Sequence, residues 1–208
     1  DKNGILVHNM SWSNSKRKST VTNISAYIYK CMENAKAIRF FTFRNVKFDP
    51  ELLPKDLYKL SVPRCYELDC AKLPKSIRKL DLTNLTMRKN IYNLDNLPNL
   101  LSLSMKIYSD QLSNCLHNLP KTLRELKIIN IPIFDTEETE EVFNFSMLPR
   151  QIQKLKLYNF LEFNVENAPF SLRELYLIND EDGDPLNINI RKFPNLQKLV
   201  INDSTILM

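Results

Sequence analysis

Glycine is nearly absent from this chain of 208 residues, which carries two copies, where a globular protein devotes about 7% of its residues to it. Folds that depend on tight glycine turns, or on glycine loops that cradle phosphate, are therefore excluded. Histidine is as scarce, at His8 and His117. The four cysteines, Cys31, Cys65, Cys70 and Cys115, include no C-x-x-C pair, so zinc-ligand spacing is missing. The same spacing lacks the density of a disulfide framework. We expect four reduced, mostly buried thiols, which points to a cytoplasmic or nuclear setting. No apolar run approaches the roughly 18 residues of a membrane span, and no signal peptide is present. Nucleophile-elbow, phosphate-loop, zinc-protease and dinucleotide motifs are all missing. The expectation is no catalytic residue, no metal and no cofactor. The net charge of +5 comes from 29 basic and 24 acidic residues. That is too mild for a dedicated nucleic-acid binder, though it suits an acidic partner surface. Five N-x-Ser/Thr sequons, at Asn9, Asn23, Asn84, Asn144 and Asn202, are what chance supplies in a chain rich in these residues. The chain opens at Asp1 rather than Met, as expected of a piece of a longer protein.

What the sequence does contain is one phrase written many times. A proline is followed by two or three residues, an apolar residue, two polar ones, Leu, one residue and another apolar residue. It reads LPKDLYKLSV (53–62), LPKSIRKLDL (73–82), LPNLLSLSM (97–105) and LPKTLRELKI (119–128). It returns as LPRQIQKLKL (148–157), APFSLRELYL (168–177) and FPNLQKLVI (193–201). AIRFFTF (37–43) is set in the same frame without its Leu-Pro. The central apolar residues are then Phe41, Leu60, Leu80, Leu103, Leu126, Leu155, Leu175 and Leu199, separated by 19 to 29 residues. The last two apolar residues of each copy alternate with polar ones and so share a face of a short strand. One copy cannot bury that face alone, so neighbours must stack. Proline lacks a backbone N–H and suits the bend before the strand. Asn stands two residues past the last strand residue at Asn45, Asn84, Asn130, Asn159 and Asn179. It is expected to make turn bonds from side chain to backbone.

The phrase resembles the LxxLxL core of the leucine-rich-repeat family, whose repeats span 20–29 residues. The resemblance covers about residues 37–202. It implies an α/β solenoid with a curved parallel sheet on the concave face and mostly short extended or 3-10 segments on the convex side. One N-terminal helix is expected within residues 20–35, where Val21, Ile24, Tyr27 and Cys31 have roughly helical spacing. Residues 1–36 form a long first repeat: a strand at Ile5–Val7, a basic loop and this helix. Residues 37–208 form a continuous solenoid of about eight repeats. Residues 134–145, with five acids from Asp135 to Glu141, read as an inserted solvated loop. A second acidic run holds Asp180, Glu181, Asp182 and Asp184. Neither GILV at the start nor STILM at the end offers a polar cap.

The polar partners of the strand leucines point to the concave face, the expected working surface. Its triplets begin with Phe40/Thr42/Arg44 and end with Lys198/Val200/Asn202. The candidate partner-binding residues are Lys127, Ile129, Lys154, Lys156, Tyr158, Tyr176, Ile178 and Lys198, where aromatic and aliphatic groups interleave with lysine. The strand, basic loop and helix before the repeats are also similar to the region after the F-box in fungal F-box repeat proteins. That likeness implies a substrate receptor of a ubiquitin ligase, with the adaptor held by sequence outside this chain. The wording LPxSLxxLxL is similar as well to repeats of secreted bacterial ubiquitin-ligase effectors and to the FNIP repeats of amoebae and their viruses, although no FNxP phrase occurs. A pathogen or viral effector is the alternative, and binding of nucleic acid or an acidic surface through the lysines is a third.

Overall fold

A computed structural model describes residues 4–8, 22–23, 33–41, 46–47, 49–62, 68–85, 93–131, 142–179, 188–202 and 204–207. Ten strands form one sheet: β1 (Gly4–His8), β3 (Ala37–Phe41), β5 (Lys59–Ser61), β6 (Lys79–Leu82), β7 (Ser102–Tyr108), β8 (Glu125–Ile131), β10 (Lys154–Tyr158), β12 (Glu174–Ile178), β13 (Lys198–Ile201) and β14 (Ser204–Leu207). They lie in chain order and all pair in parallel except β14, which runs antiparallel to β13. Two-residue strands pair separately, β2 (Thr22–Asn23) with β4 (Val46–Lys47) and β9 (Phe143–Asn144) with β11 (Phe163–Asn164).

The alternation read from the sequence sets the strand faces. Along β10, Leu155 and Leu157 are buried while Lys154, Lys156 and Tyr158 are half-buried on the other side. The parallel register aligns Leu60, Leu80, Leu103, Leu126, Leu155, Leu175 and Leu199 side by side. All of them are buried, each contributing about 1.5–3 kcal/mol of apolar burial. The residue aligned with Leu60 on β3 is Ile38, not Phe41. Ala35 and Ile38 are spaced like Leu57 and Leu60, and all four are buried. Alanine is too small to announce itself as the anchor of a repeat. The first strand is thus shifted by three positions, and Ala37 and Arg39, not Phe40, Thr42 and Arg44, share the register of Lys59 and Ser61.

Each copy enters its strand through the same turn. Leu57 N–H donates to the Pro54 carbonyl, Ile77 to Pro74, Leu123 to Pro120, Ile152 to Pro149 and Leu172 to Pro169, each at 3.1 Å. In the two shorter copies the acceptors are Leu97 and Phe193. Proline there moves to the second turn position, which its fixed φ favours. One carbonyl then ties each turn to the next. The Tyr58 carbonyl accepts from Arg78 and Lys79, Arg78 from Leu101 and Ser102, Leu101 from Arg124 and Glu125, and so on through Arg173 to Gln197 and Lys198. Side chains reinforce the junction. Ser171 Oγ donates to the carbonyls of Arg150 and Ile152, both at 2.6 Å, and Ser76 does the same one copy apart.

The apolar face is covered by 3-10 turns. Those at Pro50–Leu52, Cys70–Lys72, Phe145–Met147 and Ile190–Lys192 are each capped by an Asp or Asn side chain (Asp49, Asp69, Asn144, Asn189) that accepts the N–H two residues on. Short side chains of this kind satisfy free N–H groups at such starts. Phe143 and Phe145 are fully buried, with ring centroids 5.2 Å apart, and Phe160 and Phe193 join them. The segment 134–145 is therefore not a loop to its end, because Phe143–Asn144 is strand and Phe145 is core. Residues 132–141, which hold the acids, and residues 180–187 lie outside the described residues.

The α-helix among the described residues is α1 (Leu112–His117), between β7 and β8 and not N-terminal. Leu112, Cys115 and Leu116 are buried on it at helical spacing, a signal that the short repeat lengths had overshadowed. Within the expected helix of residues 20–35, Thr22 and Asn23 are strand. Residues 24–32 and the basic loop lie outside the described residues. The expected strand at Ile5–Val7 falls inside β1. At the other end Ser204–Leu207 folds back on β13 through Asn202, whose φ is 42°, so most of STILM is itself the last strand of the sheet. Asn tolerates that left-handed turn geometry.

Leu155→Ala should lower the unfolding free energy by about 2–5 kcal/mol, while Ser171→Ala should cost about 1 kcal/mol. Urea unfolding of both variants checks the order, and equal losses would show that the strand leucines do not carry the stability.

Candidate functional site

Eight sequence-predicted residues fall on four neighbouring strands and one face. Lys127 and Ile129 stand on β8, Lys154, Lys156 and Tyr158 on β10, Tyr176 and Ile178 on β12, and Lys198 on β13. The register makes them a grid. One row runs Glu125, Lys154, Glu174, Lys198; the next Lys127, Lys156, Tyr176, Val200; the third Ile129, Tyr158, Ile178. The first row alternates in charge, and the third is apolar. Val200, expected to be exposed there, is 7% exposed. It lies in register between Tyr176 of β12 and Thr205 of β14, so a strand flanks it on both sides.

Tyr176 is the hub. Its hydroxyl donates to Glu174 Oε2 at 2.8 Å, which pins the ring along its own strand. Lys154 Nζ sits 2.7 Å from the same oxygen. Three ammonium groups surround the ring, with Lys156 4.6 Å, Lys198 5.2 Å and Lys154 5.4 Å from its centroid. Lys127 lies 4.6 Å from the Tyr158 ring. Each such contact is worth about 0.5–1 kcal/mol at a partly exposed site. The rings thereby gather cations that the strand register alone would keep apart.

The charges do not balance. Lys154 and Glu174 satisfy each other. Their hydrogen bond holds the Lys154 ammonium above the ordinary lysine value and the Glu174 carboxyl below the ordinary carboxylate range. Lys127 and Lys156 face each other directly across β8 and β10, a like-charged pairing that destabilises a sheet. Among the described residues neither forms a salt bridge. Burial, then repulsion from Lys154 and Lys127, pushes the Lys156 ammonium below the ordinary lysine value of 10.5.

A cleft of about 490 Å³ runs along the beginnings of the strands, lined by Lys79, Ser102, Arg124, Glu125, Gln153, Lys154, Arg173, Glu174 and Gln197. Arg124, Gln153, Arg173 and Gln197 are the polar pair-mates inside LxxL. They were missed because they precede the strand; counting back one position from each strand start would have found them. Elsewhere, His117 is exposed with Nδ1 2.9 Å from the Ser113 carbonyl. Among the described residues no cluster of His, Cys, Asp or Glu is arranged to hold a metal. No helix there is long and apolar enough to cross a membrane. Among the described residues the open face of β8, β10, β12 and β13 thus presents four lysines around two tyrosine rings.

Two pH responses follow. Because folding lowers the Glu174 value, the stability it contributes is present above the unfolded carboxylate range and lost as pH falls through the folded value. Because folding lowers the Lys156 value as well, its charge costs stability at neutral pH, and the cost falls away as pH rises from the folded value to the unfolded one. NMR titration of the lysine Cε signals should place Lys156 below 10.5, and Lys127→Met should raise it. No movement in that variant would show that the two ammonium groups do not interact.

Comparison with family models and with curated proteins finds no match to this chain.

Proposed function

We propose that this chain is a leucine-rich-repeat solenoid that acts as a protein–protein interaction module, with a partner held on the open face of β8, β10, β12 and β13. The observation that carries the reading is the convergence of Tyr158, Tyr176, Ile129, Ile178 and four lysines on adjacent strands of one face. The opposite face is consumed by the core. Aromatic and aliphatic anchors ringed by charged groups are the makeup of binding hot spots. Nine parallel strands at about 4.8 Å spacing give a face roughly 38 Å long, ample for a standard interface. In-register LxxLxL copies, capped 3-10 turns behind them and bonds that join each turn to the next support the solenoid assignment. Asn84, Asn130 and Asn179 donate side-chain bonds to the backbone of neighbouring copies, across copies and not within their own turns as expected.

Service as a substrate receptor of an F-box-type ubiquitin ligase is an expectation drawn from the N-terminal likeness. Of its three parts, the strand is described, the basic loop is not, and Thr22–Asn23 are strand where the helix was expected. We therefore propose recognition and no particular downstream use.

In affinity capture, the variant Lys156→Glu, Tyr158→Ala, Tyr176→Ala should lose a protein that the parent chain retains at both low and high salt. Capture unchanged by the three substitutions would remove this face as the site. Retention of nucleic acid in place of protein, declining steeply with salt, would favour phosphate binding.

A further inference from the structure

We infer that the partner engages this face through an extended acidic segment, laid across the strands along the cleft at their beginnings and the row of side chains beyond it, with carboxylates received by Arg124 and Arg173 in the cleft and by the Lys127–Lys156 pair in that row. The inference rests on the recognition reading of the same face and names the chemistry of what is recognised.

Shape comes first. The cleft takes its lining from five successive strands, β6, β7, β8, β10 and β12, and from the residues just before β7 to β13, so it spans six strand positions. Five gaps of about 4.8 Å make it about 24 Å long. An extended chain covers that in about seven residues. Gln153 and Gln197 each carry a donor and an acceptor, which suits the amides of a peptide backbone.

Charge comes second. Between β8 and β13 the cleft and the first two rows of the grid hold six cations, Arg124, Lys127, Lys154, Lys156, Arg173 and Lys198, and two carboxylates, Glu125 and Glu174. One of those carboxylates is already bonded to Lys154. The Lys127–Lys156 pair is the clearest vacancy in the charge pattern. Two ammonium groups on adjacent strands are each settled over a tyrosine ring, and one carboxylate between them would relieve their repulsion.

The same pattern selects among anions. A nucleic-acid backbone carries charge at every step and would pass over Glu125 and Glu174. A peptide can place uncharged residues there and its acids elsewhere. Arginine forks match carboxylates in two-bond geometry, and the apolar row of Ile129, Tyr158 and Ile178 gives the segment's apolar side chains somewhere to rest.

The test uses the full chain and fluorescence anisotropy with a labelled seven-residue peptide of alternating Glu and Leu, N-acetylated and C-amidated. Binding should weaken about tenfold in Lys127→Glu/Lys156→Glu. A control of the same charge, Lys75→Glu/Lys121→Glu, both exposed turn residues, should bind as the parent does. Thermal melting confirms that each variant is folded, and peptide-induced shifts of the Lys127 and Lys156 Cε signals give a reading independent of affinity in the variants. Equal weakening in both double variants would reduce the effect to net charge and overturn the inference. So would tighter binding of a single-stranded oligonucleotide that depends on the same lysines. Absence of peptide binding, with partner capture still abolished by the triple variant, would overturn the acidic segment and leave the recognition reading standing. Failure of both would remove the two together.

Discussion

The structure depends on one repeated junction, in which a single carbonyl just before a strand accepts two consecutive N–H groups from the next copy. Tyr58, Arg78, Leu101, Arg124, Gln153 and Arg173 all serve this way. The junction fixes the register, because two N–H groups on one acceptor leave no freedom to slip by a residue. A slip of one would turn every leucine toward the open face and every lysine inward. With register held, the turns align, so Ser76 and Ser171 reach two carbonyls of the preceding copy. Alignment of the turns then stacks the leucines, and their burial supplies the stability.

The open face follows from that register. Lys127 and Lys156 were placed opposite one another by the leucines beside them, not by attraction of their own. The cost of this juxtaposition is limited by the tyrosines, whose rings take up the ammonium groups, and by Glu174, which neutralises the third lysine. A surface selected for stability alone would carry an acid at one of these positions, as the adjacent row does at Glu125 and Glu174. The pairing of two cations is intelligible as preparation for an anion supplied from outside.

Much of this was legible in the sequence, and the failures share a cause. The frame of alternating Leu identified seven of the repeated strands and the face of all eight candidate residues, because a two-residue period has one solution when one side is buried. It failed at Ala35–Ile38, where the anchoring side chain is small, and the strand was displaced by three positions. It extended the acidic loop through Phe143 and Phe145, because five nearby acids outweighed two phenylalanines that the core needs. It treated Val200 as exposed, because the strand that flanks it folds back from the end of the chain, which no periodicity encodes. The Asp or Asn five residues before most prolines went unnoticed, although it caps four of the 3-10 turns behind the sheet.

The most direct test removes one copy. Joining Lys154 directly to Leu175 deletes a full register step between β10 and β12, whose partners are Lys154↔Glu174 and Leu155↔Leu175. If each copy is held only by its neighbours, the shortened chain should unfold in a single cooperative transition, with its melting temperature lower by several degrees. Joining Lys154 to Val165 deletes half a step and should abolish folding. Loss of cooperative unfolding in both deletions alike would contradict the account, since register, and not the mere presence of the segment, is what it requires.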